Sequence, residues 1–429
     1  MIAVPLLALA LAVALLLAGV DPVPTWFYVF AWYPTLVLLD ALARRLDGRA
    51  LVFKDATRVA SLCAWSAVIW LAFEAANFRL DNWYYVFLPR NEAERWVGIL
   101  LSFATVVLAI LLAERALDAA GVGRRWRTQP VRVRSVDLQA SMWLGAGQLA
   151  LALAWPRIFF PLIWAGWFLL LEPYVYRRRP DLSLFADFSR GEWGRAGRIF
   201  VGGLGVGLLW ESYNYWARGK WVYTVPWLEG TKWFEMPPVG FIGFPFFALE
   251  AWAIYHTLCA AGVALPLAGP IPHRRRRMLL AGLLAVPFSV LTLAGMEHWT
   301  VSSVVPKLSD LPGYSPRWAE RLAAARVRTP FELAAREPRA LAEATGLSET
   351  QAQALIETAR LATLHGIGAD HVARLQMAGV ASICALARED PRSLWLRVRA
   401  PDSSPGNHPT AAEVRVWVGA AKRACRSEK

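Results

Sequence analysis

The sequence predicts an all-α protein in two parts, a polytopic membrane helix bundle over residues 1–300 and a small soluble all-α domain over 301–429. Three observations carry this. Hydrophobic residues make up 56% of the chain and charged residues 18%, where soluble domains run near roughly a quarter charged. Up to about position 300 the apolar residues gather in runs of about 18 to 25, the length of a bilayer crossing. Beyond it those runs stop, and the chain turns Ala- and Arg-rich with helical periodicity. A single globular enzyme, a disordered chain and a coiled coil are excluded.

Nine spans are expected, near 2–20, 24–43, 59–77, 96–114, 138–155, 157–175, 196–216, 238–262 and 278–298. The first opens MIAVPLLALALAVALLLAGV, with no Lys or Arg before its apolar core, which favours a span over a cleaved signal peptide. Twenty-one Lys and Arg lie in loops 44–58, 115–134, 177–198 and 274–277, with Arg274 to Arg277 the densest run; only seven lie in loops 21–23, 78–95, 156–157 and 217–236. This excess places the first set in the cytoplasm of a cell (inner) membrane. The formal net charge of +13 therefore reports orientation rather than nucleic-acid binding. If 278–298 crosses fully, the tail emerges outside; if it is re-entrant around Pro287, the tail stays inside.

Four cysteines show no metal spacing. Cys63 and Cys259 fall in apolar runs, and Cys384 and Cys425 in the tail, so no zinc site, disulfide framework, metal or cofactor is expected.

The chain repeats internally. LLDALARRLDGRALVF aligns without gaps on LLEPYVYRRRPDLSLF, pairing Asp40 with Glu172. FEAANF aligns on WESYNY, pairing Glu74 with Glu211 and Asn77 with Asn214; the same offset of 137 pairs Pro89 with Pro226 and Trp96 with Trp233. A four-span unit thus occurs twice, over about 1–117 and 135–263, in parallel orientation with the ninth span appended. In the tail, 311–341 aligns on 364–394 at an offset of 53 with eleven of 31 positions identical, and a polar insert, APDSSPGNH, lengthens the second copy.

Within that second copy, HGIGADHVARLQMAGV resembles the helix-hairpin-helix motif. Gly366 and Gly368, with Gly313 in the first copy, stand where such a hairpin needs positive φ. The resemblance implies a tandem helix-hairpin-helix domain over 301–429. DNA-binding members of that family hold phosphates with hairpin N–H groups and basic side chains. Here Asp370 follows the hairpin, Ser315 replaces the second glycine of the first copy, and residues 301–429 carry 18 Lys/Arg against 13 Asp/Glu. A protein partner is expected, and nucleic acid is not.

Ionisable groups inside spans are costly and point to function. Glu74 with Asn77, and Glu211 with Asn214, stand three apart and share a helix face near the outer ends of spans three and seven. Two such pairs could converge on one cavity, where a carboxyl group in an apolar setting would hold and deliver a proton. The alternative is that each Glu bonds its Asn or a backbone carbonyl and locks two helices. Glu250, near the middle of span eight, is a third candidate; His256, six residues on, is off its face. Asp40 and Glu172, at inner span ends, and Glu297 and His298, closing the last span, read as anchors.

There are 22 Trp, most of them explained by an aromatic belt at the membrane interface. The run from Trp210 to Trp227 is dense enough to line a groove for a flat or polyene-like ligand beside Glu211, through Trp210, Trp216, Trp221 and Tyr223. VGGLGVG lies inside a span with no preceding strand, so Gly203 and Gly207 read as a small-xxx-small helix contact.

The segment GKWVYTVPWLEGTKWFEMPPVGFIGFPFFALE, with Glu211 upstream and Glu250 at its end, resembles small membrane carotenoid enzymes, the heterodimeric-type lycopene cyclases and the carotenoid hydratases. The resemblance implies acidic residues in a membrane pocket that protonate an isoprenoid double bond, although the Pro–x–Glu–Glu pattern of those families is reduced here to the single Glu of PFFALE. The expected function is the binding or processing of a lipid-soluble, isoprenoid-like ligand, or of membrane lipid, at Glu74, Glu211 and Glu250. Whether catalysis occurs stays open. A non-enzymatic scaffold docking a protein through its tail, and a transporter or channel, are the alternatives.

Overall fold

The computed structural model describes residues 2–49, 55–225, 232–267, 275–399 and 408–427. Pro226, Trp227, Arg274 and the polar insert over 400–407 lie outside the described residues. The first part of the chain forms α1 (Ala3–Leu17), α2 (Val23–Asp47), α3 (Ala56–Leu80), the short strand β1 (Trp83–Val86), α4 (Glu92–Ala119) and α5 (Ser135–Ala154). Then come the short α6 (Pro156–Phe159), α7 (Ile163–Arg178), α8 (Leu184–Ser189), α9 (Gly194–Trp216), strand β2 (Lys220–Tyr223), α10 (Gly243–Ala261) and α11 (Arg275–Trp299). Eight shorter helices follow: α12 (Ala319–Ala324), α13 (Pro330–Ala334), α14 (Pro338–Thr345), α15 (Glu349–Thr363), α16 (Gly368–Met377), α17 (Ile383–Ala387), α18 (Pro391–Val398) and α19 (Ala411–Ser427).

Helices occupy each region where a span is expected, yet among the described residues six segments are both long and apolar enough to cross a membrane: Val23–Asp47, Ala56–Leu80, Glu92–Ala119, Pro156–Arg178, Pro238–Ala261 and Arg276–Trp299. The other three depart for physical reasons. At 1.5 Å per residue the 15 residues of α1 reach about 22 Å, short of a hydrocarbon core of about 30 Å. Polar residues dilute the other two, Asp137, Gln139 and Gln148 in α5, and Arg195, Arg198, Glu211 and Asn214 in α9.

The chain divides into two compact units. The first comprises 1–80, 96–217 and 233–296. Within it α4 is buried over nearly all of residues 103–113, whereas α11 leaves Leu279, Leu283, Leu284 and Leu291 more than half exposed. Close helix contacts are made where a side chain is missing. A Cβ on Gly203 would lie 2.4 Å from that of Ala248, and one on Gly207 would lie 2.3 Å from the Phe244 ring, so the two glycines seat α9 on α10 as expected. Gly145 and Gly166 do the same for α5 and α7.

Backbone defects are repaired by hydroxyls. Pro173 interrupts α7 and offers no N–H to the carbonyl of Leu169, which accepts the Ser141 hydroxyl at 2.8 Å instead. Buried Ser66 inserts into the α4 ladder, donating to the Phe103 carbonyl at 2.7 Å and accepting the Val107 N–H at 3.0 Å. Buried Arg198 on α9 pairs with Glu114 on α4 at 2.8 Å.

The second unit comprises 81–95, 218–232 and 297–429. It is therefore larger than the tail beginning at 301, because two interhelical segments join it. β1 and β2 pair antiparallel, Trp83 opposite Tyr223 and Val86 opposite Lys220. The residues after α11 extend this sheet. Tyr85 donates its N–H to Thr300 at 2.7 Å and its carbonyl accepts the Ser302 N–H at 2.9 Å; Leu88 likewise accepts the Val305 N–H at 2.9 Å. The helices enclose one apolar core that includes Leu322, Leu333, Leu341, Ile356, Leu375, Leu386, Leu394 and Trp417. Contrary to the expectation from spacing, Cys384 and Cys425 form a disulfide between α17 and α19, with Cα atoms 5.3 Å apart across a separation of 41 residues. Cys63 and Cys259 are free.

Candidate functional site

In the first unit, the sequence-selected acids all lie in the interior. Glu74, Glu211 and Glu250 are fully buried, and Asn77 and Asn214 nearly so. Helical periodicity explains each pair: Phe73, Glu74, Asn77 and Leu80 face inward on α3 while Ala72 and Arg79 face outward, and Glu211, Asn214 and Ala217 do the same at the end of α9.

A connected set of aromatic rings links these positions. At its centre, Phe247 on α10 lies 5.4 Å from Trp70, 5.4 Å from Phe73, 5.8 Å from Trp164 and 5.8 Å from Trp210, ring centre to ring centre. The Trp70 indole donates to Glu74 Oε1 at 3.0 Å. Trp210, the residue before Glu211, also meets Trp32 at 6.1 Å. Tyr28 lies within electrostatic reach of Glu211 and bonds Thr105. Glu250 stands three residues after Phe247 and so on the same face of α10. Its Oε1 accepts the Trp167 N–H at 2.9 Å, while its Oε2 has no hydrogen-bond partner among the described residues. Interleaved edge-to-face rings of this kind contribute packing energy and present a polarisable, apolar surface.

Other expected site residues are dispersed. α9 ends at Trp216, which is 59% exposed, and Trp221 and Tyr223 sit on β2 in the second unit. Inside the described part of the aromatic run, Trp210 to Tyr223, the chain changes from helix to strand. Glu172, Glu297 and His256 have structural partners. Glu172 accepts the Ser183 hydroxyl and the Leu184 and Phe185 N–H groups, capping α8. His256 bonds its own helix at Trp252. Glu297 forms a two-point ion pair with Arg95, at 2.7 and 2.6 Å.

The second unit contains a polar cluster that the sequence reading missed. Glu413 accepts the Thr410 N–H at 2.7 Å and Thr410 Oγ1 accepts the Glu413 N–H at 3.1 Å, a capping box that starts α19. Two residues on, Arg415 donates to the Thr224 carbonyl at 2.7 Å. Thr224 in turn hydrogen-bonds the carbonyl of Asp81. Burial pushes the Glu413 carboxyl up to about 7. Burial drives the His371 imidazole down to about 4. The T-x-x-E pattern at 410–413 was the available signal.

Gly313, Gly366 and Gly368 have φ of 80°, 76° and 71°. Gly366 packs so closely on β1 that a Cβ there would lie 2.1 Å from Val86, and a Cβ on Gly368 would lie 2.8 Å from Ser303.

Residues 312–424 match a family described as a domain of unknown function, DUF4332. Comparisons with curated proteins and with solved structures find no match.

Proposed function

We propose that the protein is a multi-pass membrane protein that binds a flat or polyene-like lipid-soluble ligand at the Phe247 aromatic cluster, with Glu250 as its polar anchor and Glu74 and Glu211 flanking it. The observation that carries the reading is the open Oε2 of wholly buried Glu250 on the same helix face as Phe247. A buried carboxyl oxygen without a partner costs free energy that a ligand hydroxyl would recover. The matched burial of the Glu74/Asn77 and Glu211/Asn214 faces supports two related halves contributing to one site. Proton delivery to a ligand double bond is the catalytic form of the same proposal.

Absorbance and mass spectrometry of what co-purifies with wild type, Glu250→Gln and Glu211→Gln in mild detergent test it, with melting temperatures measured alongside. A fixed-ratio apolar ligand, lost in the variants while melting is kept, supports the reading. Ordinary phospholipid, identical in all three, defeats it. A change in ligand structure between wild type and variants would add catalysis.

A scaffold reading has one observation in its favour: Glu250 Oε1 ties α10 to α7 at Trp167. It expects Glu250→Gln to lower melting with no change in bound lipid. In either case residues 301–429 serve as a protein-docking module of tandem helix-hairpin-helix type, a reading supported by positive φ at all three hairpin glycines. Burial of Gly366 and Gly368 against Val86 and Ser303 speaks against phosphate recognition by that hairpin.

A further inference from the structure

We propose that Cys384 and Cys425 are an oxidation site on the non-cytoplasmic face of the membrane, where a disulfide-donating protein joins α19 to α17 after the chain has crossed. Three independent observations converge on it.

The first is which segments fold together. β1 follows directly from α3, β2 follows from α9, and the strand-like residues 300–305 follow from α11. All three are hydrogen-bonded into the second unit, and Arg95 at the start of α4 is ion-paired to Glu297. The tail therefore emerges on the side of the membrane where loops 78–95 and 217–236 lie, which requires α11 to pass through rather than turn back at Pro287. The second is charge. Those two loops hold three Lys or Arg each, against five, six and four in loops 44–58, 115–134 and 274–277. Basic loops stay in the cytoplasm, so the second unit lies on the other side. The third is the distribution of thiols. Both cysteines of the second unit are within bonding geometry of each other, while the two free thiols lie on α3 and α10 in the first unit. Cytosolic thiols are kept reduced, and paired cysteines in small extramembrane domains belong to oxidising compartments.

The chemistry needs an acceptor for two electrons, which the donor's own disulfide supplies. One thiolate of the pair attacks a sulfur of that disulfide and expels the first donor thiolate, leaving a mixed disulfide. The second thiolate attacks the chain's sulfur in the mixed disulfide and expels the second donor thiolate. The chain loses two hydrogens and the donor gains them.

The test uses the full-length wild-type chain in intact host cells. They are treated with a membrane-impermeant maleimide large enough to shift the protein on a gel, with and without a prior impermeant phosphine reductant. The expected result is no tail labelling without reductant and labelling at both Cys384 and Cys425 after it. A control thiol at Gln129→Cys, in the arginine-rich loop 115–134, is reached only after lysis. Non-reducing peptide mapping then finds the two cysteines in one cross-linked species, two hydrogens lighter than the dithiol. In a host lacking its extracytoplasmic disulfide donor, the wild-type chain labels without reductant. Tail thiols alkylated without reductant in an unmodified host, or reached only after lysis, overturn the proposal.

Discussion

The two units bury their residues for different solvents. In the first, large apolar side chains such as Leu284 and Leu291 are more than 70% exposed, while Glu74, Glu211 and Glu250 are wholly enclosed. In the second, apolar residues at helical spacing converge on one core and most charges stay outside. An exposed leucine is a defect in water and the expected surface in lipid, so burial alone does not mark function. What does mark it is a polar group held where neither water nor a repairing partner reaches it. Ser66 and Ser141 have visible structural work through their hydroxyls, whereas Glu172 and Glu250 each use one carboxyl oxygen and leave the other without a partner among the described residues.

The largest effect is expected at the core of the second unit. Trp417→Ala removes a fully buried indole and should cost roughly 3–5 kcal/mol, seen as loss of protease resistance in residues 301–429 with the membrane helices still protected by detergent or lipid. Simultaneous loss of both units would show that they unfold as one. Next, Cys425→Ser should lower the stability of that unit by about 2–4 kcal/mol, since a closed loop of this length chiefly restricts the unfolded chain. Reductant should then lower the melting temperature of wild type and leave the variant unchanged. In the first unit, Gly203→Ala inserts a methyl against Ala248 and should cost about 1–3 kcal/mol. The readout is melting in detergent, with the disulfide unaffected.

The smallest effect is a pH dependence confined to the second unit. Glu413, raised to about 7 by burial, favours folding while protonated. Its contribution is complete below the ordinary glutamate range, declines as pH rises to about 7, and changes no further above it. His371, lowered to about 4, acts in the opposite sense, with stability falling as pH drops from the ordinary histidine value towards 4. Glu413→Gln keeps the capping box and removes the alkaline-side decline, a change on the order of 1–2 kcal/mol. Chemical denaturation of the full chain across pH 4–8 checks it; an unchanged decline in the variant would overturn the assignment to Glu413.

Much of the helical frame was legible because apolar run length and glycine spacing report directly on lipid-facing helices and their contacts, as at Gly203 and Gly207. α1, α5 and α9 carry the apolar clustering of a span without its full length or apolarity, because α1 is short and Arg, Asp and Gln are interspersed in the other two. The short strands were missed inside loops, although WYYV at 83–86 and KWVY at 220–223 carry aromatic and β-branched residues typical of strands. The disulfide was not readable, because two cysteines 41 residues apart have no spacing signature. At the candidate site the acids were legible as costly charges in apolar runs. The central ring, Phe247, was not, because only the fold brings Trp70, Trp164 and Trp210 around it.

The small sheet also imposes an order of events on biosynthesis. Its two strands come from residues near 83 and 221, and the residues near 301 bond onto β1. β1 must wait for β2, and the pair must wait for the residues near 301, and pairings so distant along the chain form slowly. Completion of the second unit is thus a record that every preceding helix has taken its place. A chain whose last residues fail to join would leave an edge of the β1–β2 pair open, a state that proteolytic surveillance can recognise.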